Sequence, residues 1–259
     1  MKTSQPDAAN GTAAGADPLL AVQGLTQTFG SFTAVDAVDL SIPEGELHSV
    51  IGPNGAGKTT LFNMIAGSLP PTEGRIRFQG RDITDVGQDE RARRGISRAF
   101  QITQLFPELS VHENLRLAAQ SGAQRFNPLT TTDPAHDEQA KEMLSKLDIP
   151  ARPSSVAKNL SHGDKKKLEI GMALVSDPTL LMLDEPTSGV AEAELPTLMN
   201  FLVDVVEDLT VLLIEHDIDL VLELSDRVTV LDRGEVIARG SPEEIADDQA
   251  VQNAYMGGY

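Results

Sequence analysis

Gly52-Pro53-Asn54-Gly55-Ala56-Gly57-Lys58-Thr59-Thr60 is the stretch that decides the fold of this chain. It has the spacing G-x-x-x-x-G-K-[ST]. An apolar run, Leu47 to Gly52, precedes it, and Lys58 to Ser68 carries helical spacing through Leu61, Met64 and Ile65, with Gly67 near the end. A buried strand that feeds a glycine-rich turn and then opens a helix is the context this pattern requires. The glycines let successive backbone N–H groups converge on phosphate oxygens at the positive end of the helix. In such a cradle Lys58 reaches the β- and γ-phosphates of a nucleotide and Thr59 ligates magnesium.

A second element answers the first. Leu180-Leu181-Met182-Leu183-Asp184-Glu185 is a buried-type strand ending in two carboxylates, which therefore emerge at the carboxyl edge of a sheet, where open α/β folds bind ligands. Asp184 is placed to hold magnesium through water and Glu185 to polarise the attacking water. Further strands are expected at Leu20 to Gly24, Ala37 to Ile42, Arg75 to Gln79 and Val211 to Glu215, with a helix at Glu192 to Val206. Strands that are apolar at nearly every residue imply burial on both faces, as in a parallel sheet. Between about Pro107 and Leu160 the pattern turns helical, at Val111 to Gln120 and His136 to Leu147, as in a lobe inserted between parts of one sheet. The end reads as a hairpin, Arg227 to Leu231 with Glu235 to Arg239, then a short helix opened by a capping box of Ser241 and Glu244.

Composition limits the partners. The formal net charge is -18, from 39 acidic and 21 basic residues, a field that disfavours nucleic acid and anionic lipid. We read the acidity as that of a halophilic cytosol, where the Debye length falls to about 3 Å at 1 M salt and self-repulsion largely vanishes. There is no cysteine, so neither a thiolate zinc site nor a disulfide framework can form. Residues 1–18, rich in Ala, Gly, Asp and Thr, lack an apolar signal core and are expected to be a disordered tail. Nowhere do about 18 apolar residues run together, so a membrane role has to come through a partner.

Leu160-Ser161-His162-Gly163-Asp164, upstream of the Asp184 strand, resembles the Leu-Ser-Gly-Gly-Gln signature of ABC ATPases, which other P-loop classes lack. The resemblance runs from Leu20 to Gly257 with the motifs in family order. It implies that Phe29 stacks on adenine, that Phe100-Gln101 is the Q-loop, with Gln101 near the metal and γ-phosphate, and that His216 in Ile214-Glu215-His216-Asp217 is the switch histidine. The whole of Gly52, Pro53, Asn54, Gly55, Ala56, Gly57, Lys58, Thr59 and Thr60 then binds ATP. Thr59, Gln101 and Asp184 serve Mg2+, and Glu185 and His216 are catalytic. The expected fold is an α/β P-loop NTPase of ABC type: a mostly parallel sheet, an N-terminal antiparallel β subdomain, and a helical subdomain at about 102–178 within an ATPase domain spanning 19–259.

Two such domains meet head to tail in this family, so Ser161 and Gly163 of one chain face ATP held by another. Implied partners are transmembrane permease subunits, a second ABC ATPase subunit in a homo- or heterodimer, and indirectly a substrate-binding protein, at the cytoplasmic face of the cell membrane. Gly95 to Gln101, Leu105-Phe106-Pro107, Glu113-Asn114-Leu115 and Tyr255-Met256-Gly257 resemble the importers of branched-chain amino acids, and the segment around Ser161 resembles urea-uptake relatives equally.

Two departures stand out. Asp164 replaces the signature glutamine; about 4 Å from a phosphate charge it would cost roughly 4 kcal/mol at an effective dielectric of 20, so it is expected to point away. Ala191 stands where many relatives carry an aspartate that links the two sites. A soluble ABC ATPase without a transport role would share every catalytic motif. The single nucleotide domain, the acidity and the importer-like segment after Gln101 argue against it. Glu185 and His216 argue against a non-hydrolysing regulator.

Overall fold

The computed structural model describes residues 17–99, 105–122, 134–150, 152–207, 209–216 and 218–256. Residues 1–16 of the expected 1–18 tail and the Q-loop residues Phe100 and Gln101 lie outside them.

In chain order the elements are β1 (Leu20–Phe29), β2 (Phe32–Ile42), β3 (Leu47–Ile51), α1 (Lys58–Ala66), β4 (Glu73–Phe78), β5 (Arg81–Asp82), α2 (Gln88–Arg93), β6 (Ile96–Ala99), α3 (Val111–Gly122), α4 (Pro134–Lys146), α5 (His162–Leu174), β7 (Leu180–Asp184), α6 (Leu195–Val206), β8 (Thr210–Ile214), α7 (Ile218–Leu224), β9 (Arg227–Asp232), β10 (Glu235–Gly240), α8 (Pro242–Ala246) and α9 (Gln249–Met256). One sheet is antiparallel, in the order β2-β1-β4-β5. The other runs β10-β9-β3-β8-β7-β6 and is parallel except for β10. Helices α3, α4 and α5 all fall between β6 and β7.

The apolar strands are buried on both faces because each face has its own core. Leu180 and Met182 of β7, with Leu212 and Ile214 of β8, pack with α1 and the antiparallel sheet. Their neighbours Leu181, Leu183, Val211 and Leu213 pack on the opposite side with residues of α5 and α6. The period of two thus sorts a continuous hydrophobic run into two cores.

Helix α1 is held at its far end by a buried cation. Arg91, 1% exposed, donates to Met64 O at 2.7 Å and Ile65 O at 2.6 Å, and also to Ile83 O, Thr84 O and Val86 O. It thereby satisfies carbonyls that the last turn leaves open and places positive charge at the negative end of the dipole. Burial lowers its pKa to about 10. Gly67 leaves the room for it: a Cβ there would lie 2.8 Å from the Arg91 side chain.

Four sequence expectations need correction in extent. Strand β1 runs to Phe29 and β2 begins at Phe32, well beyond the stretches expected, because bulges at Gly24 (φ 55) and Ala37 (φ 46) interrupt the alternation without ending the pairing. Helix α6 begins at Leu195 rather than Glu192. Pro196 has no N–H to give a carbonyl four residues back, so it has to lie in the first turn. Helix α3 extends two residues past Gln120, and Ser110 and Glu113 cap its start reciprocally.

Candidate functional site

The cradle is shaped by backbone sterics. Gly52 ends the buried β3 with φ 152, and a Cβ there would stand 2.1 Å from Leu231 O of β9. Gly57 has φ 101, and its Cβ would stand 2.4 Å from Ala34 O of β2. No other residue type fits either position. The turn between β9 and β10 locks the loop, since Gly234 N donates to Ala56 O at 3.0 Å and Asp36 N donates to Gly234 O at 2.9 Å. Helix α1 starts with no side-chain cap at Gly57, so its first-turn N–H groups point out at the positive end of the dipole. Asn54, Gly55 and Thr59 are exposed there, and Pro53 and Thr60 are half-buried.

Lys58 is buried and donates to Gly52 O at 2.6 Å and Pro53 O at 3.1 Å. Burial lowers its pKa, while Glu185 and Asp184 pull it back up. The structure thus brings the lysine into the field of both carboxylates at the end of β7. Asp184 is itself pushed up by burial, and Arg98 opposes that push.

Arg98 is a site residue that sequence reasoning missed. It lies on β6 beside β7, with its guanidinium 3.1 Å from Asp184 Oδ2; it donates to Asn63 Oδ1 of α1 at 2.8 Å and sits 4.7 Å from the Phe62 ring centroid. An arginine in a short strand calls for an acid, but its partner Asp184 lies 86 residues away and the sequence does not name it.

Glu185 follows with φ 48, a left-handed conformation uncommon for a side chain with a Cβ, and its N–H donates to Ile214 O at 2.9 Å. Just after β8, fully buried Glu215 accepts at Oε1 from Thr187 N (3.1 Å) and Thr187 Oγ1 (2.7 Å), and at Oε2 from His216 N (3.1 Å). His216 is more than half exposed. Phe29 is 50% exposed, and Phe32, opposite it in the β1–β2 pairing, is 63% exposed.

The signature residues stand elsewhere. Ser161 is the N-cap of α5, its Oγ accepting from Asp164 N at 3.1 Å, and Gly163 N donates to Glu194 Oε2 at 3.0 Å. Those amide and hydroxyl bonds hold the Glu194 carboxyl below its usual range. Among the described residues, the Ser161 hydroxyl and the Gly163 amide bond to Asp164 and Glu194, not to the cradle. Gln101 lies outside the described residues.

A cleft of about 680 Å³, lined by Arg94, Phe106, Leu117, Met172 and Ser176 among others, opens between α2, β6, α3 and α5. Buried Asn114 holds its edge: Phe106 N donates to Asn114 Oδ1 at 2.8 Å, and Asn114 Nδ2 donates to Phe106 O at 3.1 Å. This leaves the Phe106 ring half exposed.

Residues 35–188 match the family described as ABC transporter, and residues 235–259 match the one described as branched-chain amino acid ATP-binding cassette transporter. The chain belongs to the ABC transporter ATP-binding family. This ATPase is 38% identical over 250 residues, 93% of its length and 98% of the relative's, to the high-affinity branched-chain amino acid transport ATP-binding protein LivG of Salmonella typhimurium. It is 36% identical over 250 residues, again 93% and 98% of the two chains, to BraF of Pseudomonas aeruginosa, which has the same description. Among solved structures, an ABC transporter cassette in its ADP conformation matches with TM-score 0.83 and 33% identity, covering 92% of this chain and 98% of that one. A dimeric cassette in a post-hydrolysis state bound to ADP and Pi matches with TM-score 0.74 and 26% identity, covering 86% and 98%. The chain is thus an ATP-binding, ATP-hydrolysing subunit of an ABC transporter. Among the described residues no helix is long and apolar enough to cross a membrane.

Proposed function

We propose that this subunit energises import of branched-chain amino acids or a related small polar solute, as one of two ATPase chains beneath transmembrane permeases at the cytoplasmic face of the membrane. A substrate-binding protein would deliver the solute. The descriptions of LivG and BraF, and the match of the C-terminal residues 235–259, support the solute class. Residues 19–259 act as one ATPase domain, with the helices within about 102–178 as its helical subdomain. The cleft beside Phe106 fits a cytoplasmic helix of a permease, because it joins α2 and β6 of the core to α3 and α5 of that lobe.

The observation that carries the catalytic reading is the cradle itself: an uncapped helix start, a buried lysine and two carboxylates converge there. The loop from Gly52 to Thr60 wraps the phosphates, Phe29 stacks on the adenine, and Lys58 balances charge on the γ-phosphoryl group as it leaves. The Thr59 hydroxyl and the Asp184 carboxylate are an all-oxygen donor set of the kind Mg2+ prefers, and Gln101 would complete it. When bound, that ion neutralises charge on the phosphates. Glu185 accepts a hydrogen bond from the water that attacks phosphorus, and His216 contacts the γ-phosphate side. Ser161 and Gly163 offer their hydroxyl and amide to ATP on the other chain. The Glu194 carboxylate on the Gly163 amide supports this, since that helix end already holds an anionic oxygen.

Glu185→Gln tests the reading. ATP binding should persist while turnover falls by about 10²-fold or more, as for loss of a general base. Turnover at the parent rate would refute it. The charge of -18 further supports a salt-rich cytosol. On that reading the unfolding midpoint rises as potassium chloride goes from tenths molar to molar, since screening removes self-repulsion; a flat or falling midpoint would leave ordinary solubility.

A further inference from the structure

Among the described residues, Glu215 is the fully buried carboxylate beside the site to which no role has been given. It follows β8, next to the end of β7 that carries Asp184 and Glu185. Sealing an ionised carboxyl from water is costly unless hydrogen bonds replace its hydration. Here the donors come from two separate loops. Oε1 takes both the amide (3.1 Å) and the hydroxyl (2.7 Å) of Thr187, and Oε2 takes the amide of His216 (3.1 Å).

Both loops carry chemistry. Thr187 lies in the turn that begins at Glu185, closed by Ser188 N donating to Glu185 O at 3.1 Å. Fixing Thr187 therefore fixes a turn whose first residue holds the strained φ of 48. Such a conformation persists only where its surroundings over-determine it. On the other side, His216 Nδ1 lies 3.4 Å from Glu215 Oε2.

We propose that Glu215 is a positioning residue for ATP hydrolysis, clamping the Glu185 turn and the His216 switch into one register so that the water-polarising carboxylate and the γ-phosphate contact arrive together. The proposal rests on the roles given above to Glu185 and His216. Glu215 touches neither nucleotide nor water in it. Its partners are side-chain and backbone donors that a glutamine can match only in part: the amide oxygen can still accept from Thr187, but the NH2 would face the His216 N–H, donor against donor.

The test uses the transporter assembled with its co-purifying subunits. Glu215→Gln should lower kcat for ATP by about 10- to 10²-fold, the cost of misplacing catalytic groups by a fraction of an ångström to an ångström. KM for ATP should stay within about twofold, because the cradle is untouched. In a His216→Ala background the same substitution should cost less than about a third of that factor, since part of its effect runs through the histidine. An unchanged kcat overturns the proposal, as does a loss carried by KM or an equal factor in both backgrounds. If Glu215→Gln fails to fold, Thr187→Val serves instead: it leaves the carboxylate and removes its shortest donor. A smaller fall in kcat at constant KM supports the clamp, and an unchanged kcat overturns it. If Glu185→Gln turns over ATP at the parent rate, the site reading itself has failed. If Glu185→Gln is impaired but Glu215→Gln is not, only the clamp has.

Discussion

Two helix starts in this molecule are built for anions, and they are built differently. Helix α1 opens at Gly57 with no side chain on its N–H groups, and a buried lysine follows at once. Helix α5 opens at Ser161, whose hydroxyl already accepts from Asp164 N, and its Gly163 amide already holds the Glu194 carboxylate. The first is a socket whose walls are β2, β9 and the β9–β10 turn, so its shape belongs to the core. The second sets a buried Gly163 behind exposed Ser161 and His162, and on the proposed reading it exchanges one acidic oxygen for another when a phosphate approaches. On the proposed reading the difference divides the work: the cradle holds nucleotide within one chain, whereas the signature end completes a site against a second chain.

The strongest way to break the comparison is to fill the socket. Gly57→Ala adds a Cβ 2.4 Å from Ala34 O at a φ of 101, so the loop or β2 has to shift. ATP affinity, read by nucleotide titration of the folded variant, should fall on the order of 10²-fold, comparable to a misplacement of about 1 Å in a preorganised site. Binding unchanged from the parent would mean that backbone sterics do not shape the cradle. A milder change sharpens the other half. Ser161→Ala removes the α5 N-cap and should cost about 1 kcal/mol of stability in denaturant unfolding. ATP binding to the isolated chain should be unaltered. Should that variant weaken binding to its own cradle, the separation of the two halves is wrong.

This contrast also explains what was legible in the sequence. The cradle and the Leu180–Asp184 strand could be read directly, because their chemistry is local: glycines where a Cβ cannot fit, and an apolar run ending in acids. The capping box at Ser241 and Glu244 was legible for the same reason. Arg98, Glu215 and Glu194 were not, since each acts through a partner 28 or more residues away that pairing of distant elements brings near. Phe32 was invisible for a related reason: nothing in sequence says that it sits opposite Phe29. The full length of β1 was hidden by bulges, which disturb the alternation while leaving the ladder intact. Asp164 lies in the first turn of α5, where a helix dipole favours an acid.

The claim that the two halves meet across chains is tested most directly by mixing two damaged subunits. A Lys58→Ala chain loses its hold on triphosphate but keeps the α5 start intact, and a Ser161→Arg chain keeps its cradle but blocks that start. Each is expected to be inactive or nearly so when both ATPase positions carry it. Mixed in one dimer, or distributed between this chain and its natural partner, they should restore one sound site and regain a substantial part of the ATPase activity that neither has alone. If both variants are folded and associate, yet no mixture regains activity, Ser161 does not act on ATP held by another chain.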